Sequence, residues 1–285
     1  MTSQGPNFSL SKLARCRWNL LDMINIVGQS SVPTYLFYEI DMTWVENLRA
    51  RLKEMGHKMT VTAILLKAIG IAQRWHPASR QAMLPFGRTV TFNDIVAGFT
   101  VERFINSQPA VFFGAIHKPD EKPLLQIAEE LRAYGEEEVS KVPQLAIEDM
   151  FNNMPWLIRR IILWFGLRYP KIRLKYLGAT FGVSSLGKFG CKALIPPCVS
   201  TSTFGIGEVE QRPVVVNGAV EVRHMMTITL NFDHRLIDGA PAARFLQDVK
   251  RLLEGDLQAY IEEELKLLES ATAKQFTQKP SPAYS

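Results

Sequence analysis

The chain has 285 residues, 47% of them apolar, enough to bury a sizeable core in one large domain or two small ones. Its 33 basic and 28 acidic residues leave a formal charge of +5, too modest to imply nucleic acid as a partner. Three cysteines (Cys16, Cys191, Cys198) at irregular spacings, without a CxxC or a His/Cys cluster, indicate neither a disulfide framework nor a zinc site and read as reduced, buried thiols.

The start MTSQGPNFSLSK is polar and unlike a secretory signal, and no run of about 18 uninterrupted apolar residues follows, so a soluble, cytoplasmic protein is the expectation. Residues 34–41 (TYLFYEID) have strand character, and 43–56 (TWVENLRARLKEMG) follow with helical spacing and Thr43 as a candidate cap. The next stretch, VTAILLKAIGIAQRW at 61–75, is apolar nearly all round and reads as a buried helix. Segments 88–105 and 109–116 read as strands joined by an NSQP turn, and 123–140 as an acidic amphipathic helix. Strand patterns follow at 179–185, 200–209, 214–222 and 225–232, with Asn217-Gly218 as a strong hairpin signal. A long helical stretch with a break near Gly255 ends the pattern, and the polar, Pro-containing residues 271–285 read as a loose tail.

One region departs from this plan. From Phe151 to Gly207 there is no acidic residue, while Arg159, Arg160, Arg168, Lys171, Arg173, Lys175, Lys188 and Lys192 all lie there. Such a segment calls for an anionic partner, or for an acidic surface of the chain itself, such as EELRAYGEEE at 129–138. Within 143–178, Trp156, Trp164, Phe165, Tyr169 and Tyr176 alternate with six cations. Two readings stand: an amphipathic helix lying on an anionic membrane surface, or aromatic residues packed into a core or subunit interface with arginines at the rim.

The stretch NFDHRLIDGAPAARFL, residues 231–246, places a histidine, an arginine and two aspartates on a turn between an apolar strand and a helix. Taken alone, His234 could be a satisfied core residue and Asp238 a helix cap. The string His234-Arg235-x-x-Asp238-Gly239, however, resembles the HRxxDG signature of the dihydrolipoamide acyltransferase catalytic domains of 2-oxoacid dehydrogenase complexes, which share the fold of chloramphenicol acetyltransferase. TFGVSSLGKFG at 180–190, Pro196-Pro197 and RPVVVNG at 212–218 extend the likeness, and YLFYEIDMTWVENLR at 35–49 and KPLLQIAEELR at 122–132 fit in order.

The resemblance implies an α+β fold, a mixed sheet flanked by helices with the active site at a trimer interface. It implies one catalytic domain over 1–270, with the basic aromatic insertion at 143–178. His234 is then the general base that takes a proton from an attacking thiol or hydroxyl, work suited to an imidazole near neutral pH. Ser184 is the hydroxyl that donates to the tetrahedral oxyanion, with Ser185 as the fallback if the strand slips by one residue. Ser185 and Lys188 are the candidates for contacts to coenzyme A. Asp238 holds the loop through an arginine, with Arg15 and Arg17 as candidates.

The implied activity is acyl transfer from a thioester donor, foremost acyl-CoA, to a thiol, hydroxyl or amine. Two alternatives are an acyltransferase fed by an acyl-lipoyl or acyl-carrier protein, and a non-catalytic trimeric scaffold of the same fold. No metal is implied, and the sequence has no lipoyl domain and hence no lipoyl group of its own. VERFINSQPAVFFGAI also lacks the Gly-rich Asp-Arg turn common in the family, which points to an altered acceptor.

Overall fold

The computed structural model describes residues 21–277 except 23, 27–30, 106–107, 139–140, 167 and 174–177. In chain order its main elements are β1 (Pro33–Asp41), α1 (Thr43–Glu54), α2 (Val61–Trp75), a small ribbon of β2 (Gln81–Met83) and β3 (Thr89–Thr91), then β4 (Val96–Ile105) and β5 (Gln108–His117). There follow α3 (Leu124–Glu136), α4 (Pro143–Asn153), α5 (Trp156–Gly166), β6 (Phe181–Ser185), β7 (Ser202–Val216), β8 (Ala219–Asp233), α6 (Gly239–Arg251) and α7 (Gln258–Thr277). Six strands form one mixed sheet in the order β1-β8-β7-β6-β4-β5. Strand β6 runs parallel to both of its neighbours, and the outer pairs are antiparallel.

The period-two alternation of β8 decides which face carries the core. Ile228, Leu230 and Phe232 are fully buried and lie in register with Ile206, Phe204 and Ser202 of β7. Phe204 meets Phe245 of α6 edge-on, with ring centroids 5.7 Å apart, so this is the face the helices cover. Helix α2 is buried almost all round, as its composition predicts. Its Thr60 cap accepts the N–H of Ala63 at 3.2 Å. Its Lys67 is buried and donates to the carbonyls of Asp120 at 2.9 Å and Lys122 at 2.6 Å. Burial lowers the Lys67 ammonium below the ordinary lysine range, against the pull of Glu264 and Asp120.

The other face is crossed by the extended segment 191–200, and glycines make room for it. A Cβ on Gly205 would lie 1.8 Å from the carbonyl oxygen of Leu194, and one on Gly207 would lie 2.1 Å from that of Lys192. Asn231 Nδ2 donates to the carbonyl of Pro196 at 2.8 Å and pins the segment down. Pro196-Pro197 therefore belongs to this crossing, and the strand after it begins only at Ser202.

Several boundaries differ from the sequence reading for identifiable reasons. The separate strands expected at 200–209, 214–222 and 225–232 are two continuous 15-residue arms, β7 and β8, turning at Asn217 (φ 52°) and Gly218 (φ 82°). The polar middle that interrupts the apolar pattern is held by Arg212–Glu39 at 2.7 Å and Arg223–Asp41 at 3.6 Å. Thr43 is the first helical residue of α1 rather than its cap, and the Asp41 carboxylate accepts its N–H at 2.9 Å. Helix α3 has no cap of its own, and Glu264 of α7 accepts the N–H groups of Leu124 and Leu125 at 2.9 and 3.1 Å. The break at Gly255 is present, with φ 149° inside a π-turn over Leu252–Asp256. Helix α7 then continues to Thr277, so 271–277, expected as loose tail, are helical.

Candidate active site

The turn from β8 into α6 carries His234, and its geometry follows from the alternation that builds β8. Asp233 lies on the face opposite Phe232, in line with Thr229 and Asn231, and is 5% exposed. A carboxylate so placed needs compensation. Its Oδ1 accepts the N–H groups of Val32 at 3.2 Å and Arg235 at 3.1 Å. The Arg235 guanidinium binds both carboxylate oxygens, Nε to Oδ1 at 2.9 Å and Nη2 to Oδ2 at 2.5 Å. Burial alone would raise the Asp233 carboxyl, but the bonds from Arg235 and Val32 outweigh it and hold the group below the ordinary aspartate range. The His234 N–H donates to the carbonyl of Val32 at 2.9 Å. The backbone under the imidazole is thus fixed from both sides.

The imidazole itself projects outward, 44% exposed, with its ring centroid 5.7 Å from that of Phe232. Its Nδ1 faces Asp238 Oδ1 at 3.8 Å, too far for a hydrogen bond, and among the described residues neither ring nitrogen has a hydrogen-bond partner. Asp238 stands at the N-cap of α6 yet makes no side-chain cap bond and is 86% exposed. Within the described residues the carboxylate that braces the loop is Asp233. Arg15 and Arg17, the candidate partners of Asp238, lie outside the described residues.

Ser184 and Ser185 end β6, opposite Gly205 and Ile206 of β7. The pleat puts Ser184, half-buried, on the same sheet face as Thr229 and Asp233, while Ser185 falls on the helix side and is exposed at the sheet's end. Lys188 is exposed, its Nζ 4.7 Å from the Phe189 ring centroid. Ser184 and His234 do not meet in one chain. Ser184 is level with Gly205 and Thr229, and His234 lies five residues past Thr229 and two strands across. At ~3.3 Å per residue and ~4.8 Å per strand, the two Cα atoms are roughly 19 Å apart.

Beneath the loop is a small cavity of about 60 Å³ lined by Ser31, Arg173, Cys198, Thr201, Asp233 and Arg235. Burial, with the charge of Asp233, pushes the Cys198 thiol up to about 11, so it is no nucleophile at neutral pH. Cys191 is free and half-buried, not buried as expected, and Cys16 lies outside the described residues. Among the described residues no His, Cys, Asp and Glu cluster could hold a metal ion. The basic segment does not take its buried partner from 129–138: Arg159 pairs with Asp22, Nη2 to Oδ2 at 3.1 Å.

Sequence reasoning passed over Asp233. The signal was present, since the alternation Thr229, Asn231, Asp233 against Ile228, Leu230, Phe232 places an acid on a covered face two residues before an arginine.

Comparison with known proteins bears on the same residues. The family model described as 2-oxoacid dehydrogenases acyltransferase (catalytic domain) matches residues 11–152 and 172–261, passing over 153–171. The bovine dihydrolipoyllysine-residue succinyltransferase component of the 2-oxoglutarate dehydrogenase complex is 25% identical over 85% of this chain and 48% of its own length. The acetyltransferase component of the pyruvate dehydrogenase complex of Azotobacter vinelandii is 30% identical over 79% of this chain and 31% of its own length. The chain thus spans about half the length, or less, of these relatives. Among solved structures, dihydrolipoamide acetyltransferase of Azotobacter vinelandii, studied for the catalytic role of a serine, a histidine and an asparagine, superposes with a TM-score of 0.68 at 22% identity, covering 89% of this chain and 93% of that one. Fold and family model agree with the motif around His234: the chain belongs to the 2-oxoacid dehydrogenase acyltransferase family and carries its catalytic domain.

Proposed function

We propose that this chain moves an acyl group between the thiol of a dihydrolipoyl group on a partner domain and the thiol of coenzyme A, with His234 as general base. The observation that carries this reading is the exposed His234 imidazole standing on a loop braced by the Asp233–Arg235 pair. The relatives are named for a dihydrolipoyllysine residue, which supports a lipoyl thiol as the group that exchanges the acyl with coenzyme A.

In the forward direction His234 Nε2 takes the proton of the coenzyme A thiol, and the sulfur attacks the carbonyl carbon of the acyl-lipoyl thioester. Ser184 of a second copy donates its hydroxyl hydrogen to the tetrahedral oxyanion, an interaction worth on the order of 10²-fold in rate. Collapse of the intermediate breaks the bond to the lipoyl sulfur, which leaves as a thiol with the proton His234 held. The ~19 Å between His234 and Ser184 in one chain supports a site completed between subunits, as in a trimer. In the Azotobacter enzyme the histidine and asparagine stand four positions apart, the spacing of His234 and Asp238 here.

The test is an assay of acetyl and succinyl transfer between dihydrolipoamide and coenzyme A. His234→Ala should lower turnover by about 10²-fold or more with the fold intact. A variant that keeps full turnover refutes the role of His234, and a wild type inert with every thioester tried points to the scaffold reading instead.

A further inference from the structure

Helix α5 has its polarity turned inside out. Its stripe toward the protein is Arg159, Leu163 and Gly166, and the Arg159 guanidinium is only 4% exposed where it binds Asp22 at 3.1 and 3.3 Å. The outward surface is apolar and aromatic: Trp156, Leu157, Ile161, Trp164, Phe165 and, just beyond the helix, Tyr169 are all between 48% and 57% exposed. An isolated exposed leucine needs no explanation, but a continuous patch of this size on a soluble surface marks a contact site.

The charges around the patch are of one sign. The Arg168 guanidinium lies 3.7 Å above the Trp164 ring centroid, and that of Arg160 lies 5.5 Å from Trp156. Lys171 follows, and no acid occurs between Phe151 and Gly207. The element also lies in the stretch, 153–171, that the family model passes over. Aromatic rings interleaved with cations, on a helix anchored by a buried ion pair, suit the boundary between lipid tails and anionic headgroups. A second copy of the same face is a poorer occupant, because self-association would bring Arg160, Arg168 and Lys171 against their own kind with no acid of the segment between them.

We infer that α5 and the residues following it dock the protein reversibly onto an anionic membrane surface, with Trp156 and Trp164 at the interface and Arg160, Arg168 and Lys171 on lipid phosphates. The mode is peripheral: among the described residues no helix is long and apolar enough to cross a membrane. This inference rests on exposure and charge and not on the acyl-transfer chemistry.

The full chain is sedimented with vesicles of phosphatidylcholine alone and of phosphatidylcholine with phosphatidylserine, at low and raised salt. The wild type should bind the anionic vesicles, release with salt, and leave the neutral ones largely unbound. Neutralising Arg160, Arg168 and Lys171 to Gln should weaken partition by about 10²-fold. Arg159 is left intact because its guanidinium is the hydrogen-bonded partner of buried Asp22, from which Arg160 stands 3.9 Å away. A second variant, Trp156→Ser with Trp164→Ser, should lose binding while keeping its circular dichroism and native mass. Three outcomes would overturn the inference: absence of binding at low salt, equal binding to both vesicle types by wild type and charge variant, or a mass that falls in the tryptophan variant without any vesicle binding, which would make the face a subunit contact.

Discussion

Asp233→Ala removes the carboxylate that organises the His234 loop, and its cost can be worked from the contacts. The substitution takes away the acceptor for two backbone N–H groups, those of Val32 and Arg235, and for the bidentate guanidinium of Arg235. Breaking a fully buried ion pair by deleting one partner costs about 3–5 kcal/mol. Here the Asp233 side chain is buried but that of Arg235 is 32% exposed and regains water, so about 2–3 kcal/mol is the better figure. For a domain of this size that corresponds to roughly 3–5 °C in melting temperature. The rate should suffer separately. The Val32 carbonyl still holds the His234 N–H, but the chain on its far side is released, and a displacement of about 1 Å at the base costs on the order of 10²-fold. Asp233→Asn keeps the shape and one acceptor oxygen while losing the charge, and should fall between wild type and alanine in both quantities. Melting by circular dichroism and turnover with dihydrolipoamide and coenzyme A read the two effects. An alanine variant that melts within about 1 °C of wild type and turns over at the same rate would refute the brace.

Three more consequences follow from particular contacts. Because Asp233 titrates below the ordinary aspartate range when folded, its stabilisation is complete above about pH 4 and is lost as pH falls through the lower folded value; the melting gap between wild type and Asp233→Asn should be constant near neutrality and shrink in acid, and a gap that widens in acid contradicts this. Glu264→Ala should destabilise by about 1–2 kcal/mol because the start of α3 loses its only side-chain acceptor among the described residues, Glu264→Gln should retain most of the stability, and an unchanged denaturant midpoint for alanine would sink the capping role. Asp238→Ala, exposed and without a cap bond, should change stability by no more than about 0.5 kcal/mol while lowering turnover, and a large drop in melting temperature with normal turnover would return the loop-holding role to Asp238.

How much was legible in the sequence depended on the range over which each signal acts. The buried helix α2, the Asn217-Gly218 turn and the break at Gly255 are local, set by composition or by backbone conformations that few residues adopt, and all three stand where expected. The length of β7 and β8 was hidden because GEVEQRP gives no apolar alternation; its pairing is supplied by Glu39 and Asp41, far away in sequence. The cap of α3 by Glu264, 140 residues on, has no local signature at all. At the site, the motif pointed to His234 and Asp238 but not to Asp233, since a motif carries no information on which acid is buried. The inverted polarity of α5 was likewise hidden: the composition of 154–176 showed aromatics and cations, and only the fold shows that Arg159 turns inward while the rings face out.

Mixing two inactive variants probes whether His234 of one chain works with Ser184 of another. His234→Ala and Ser184→Ala are co-expressed or reassembled together, and acyl transfer by the mixture is compared with each variant alone. If the site lies between subunits, random assembly restores an intact His234 and Ser184 at about a quarter of the sites, and activity should return to about that fraction of wild type. A mixed assembly, verified by differential tagging, whose activity never exceeds that of the separate variants would contradict the shared site.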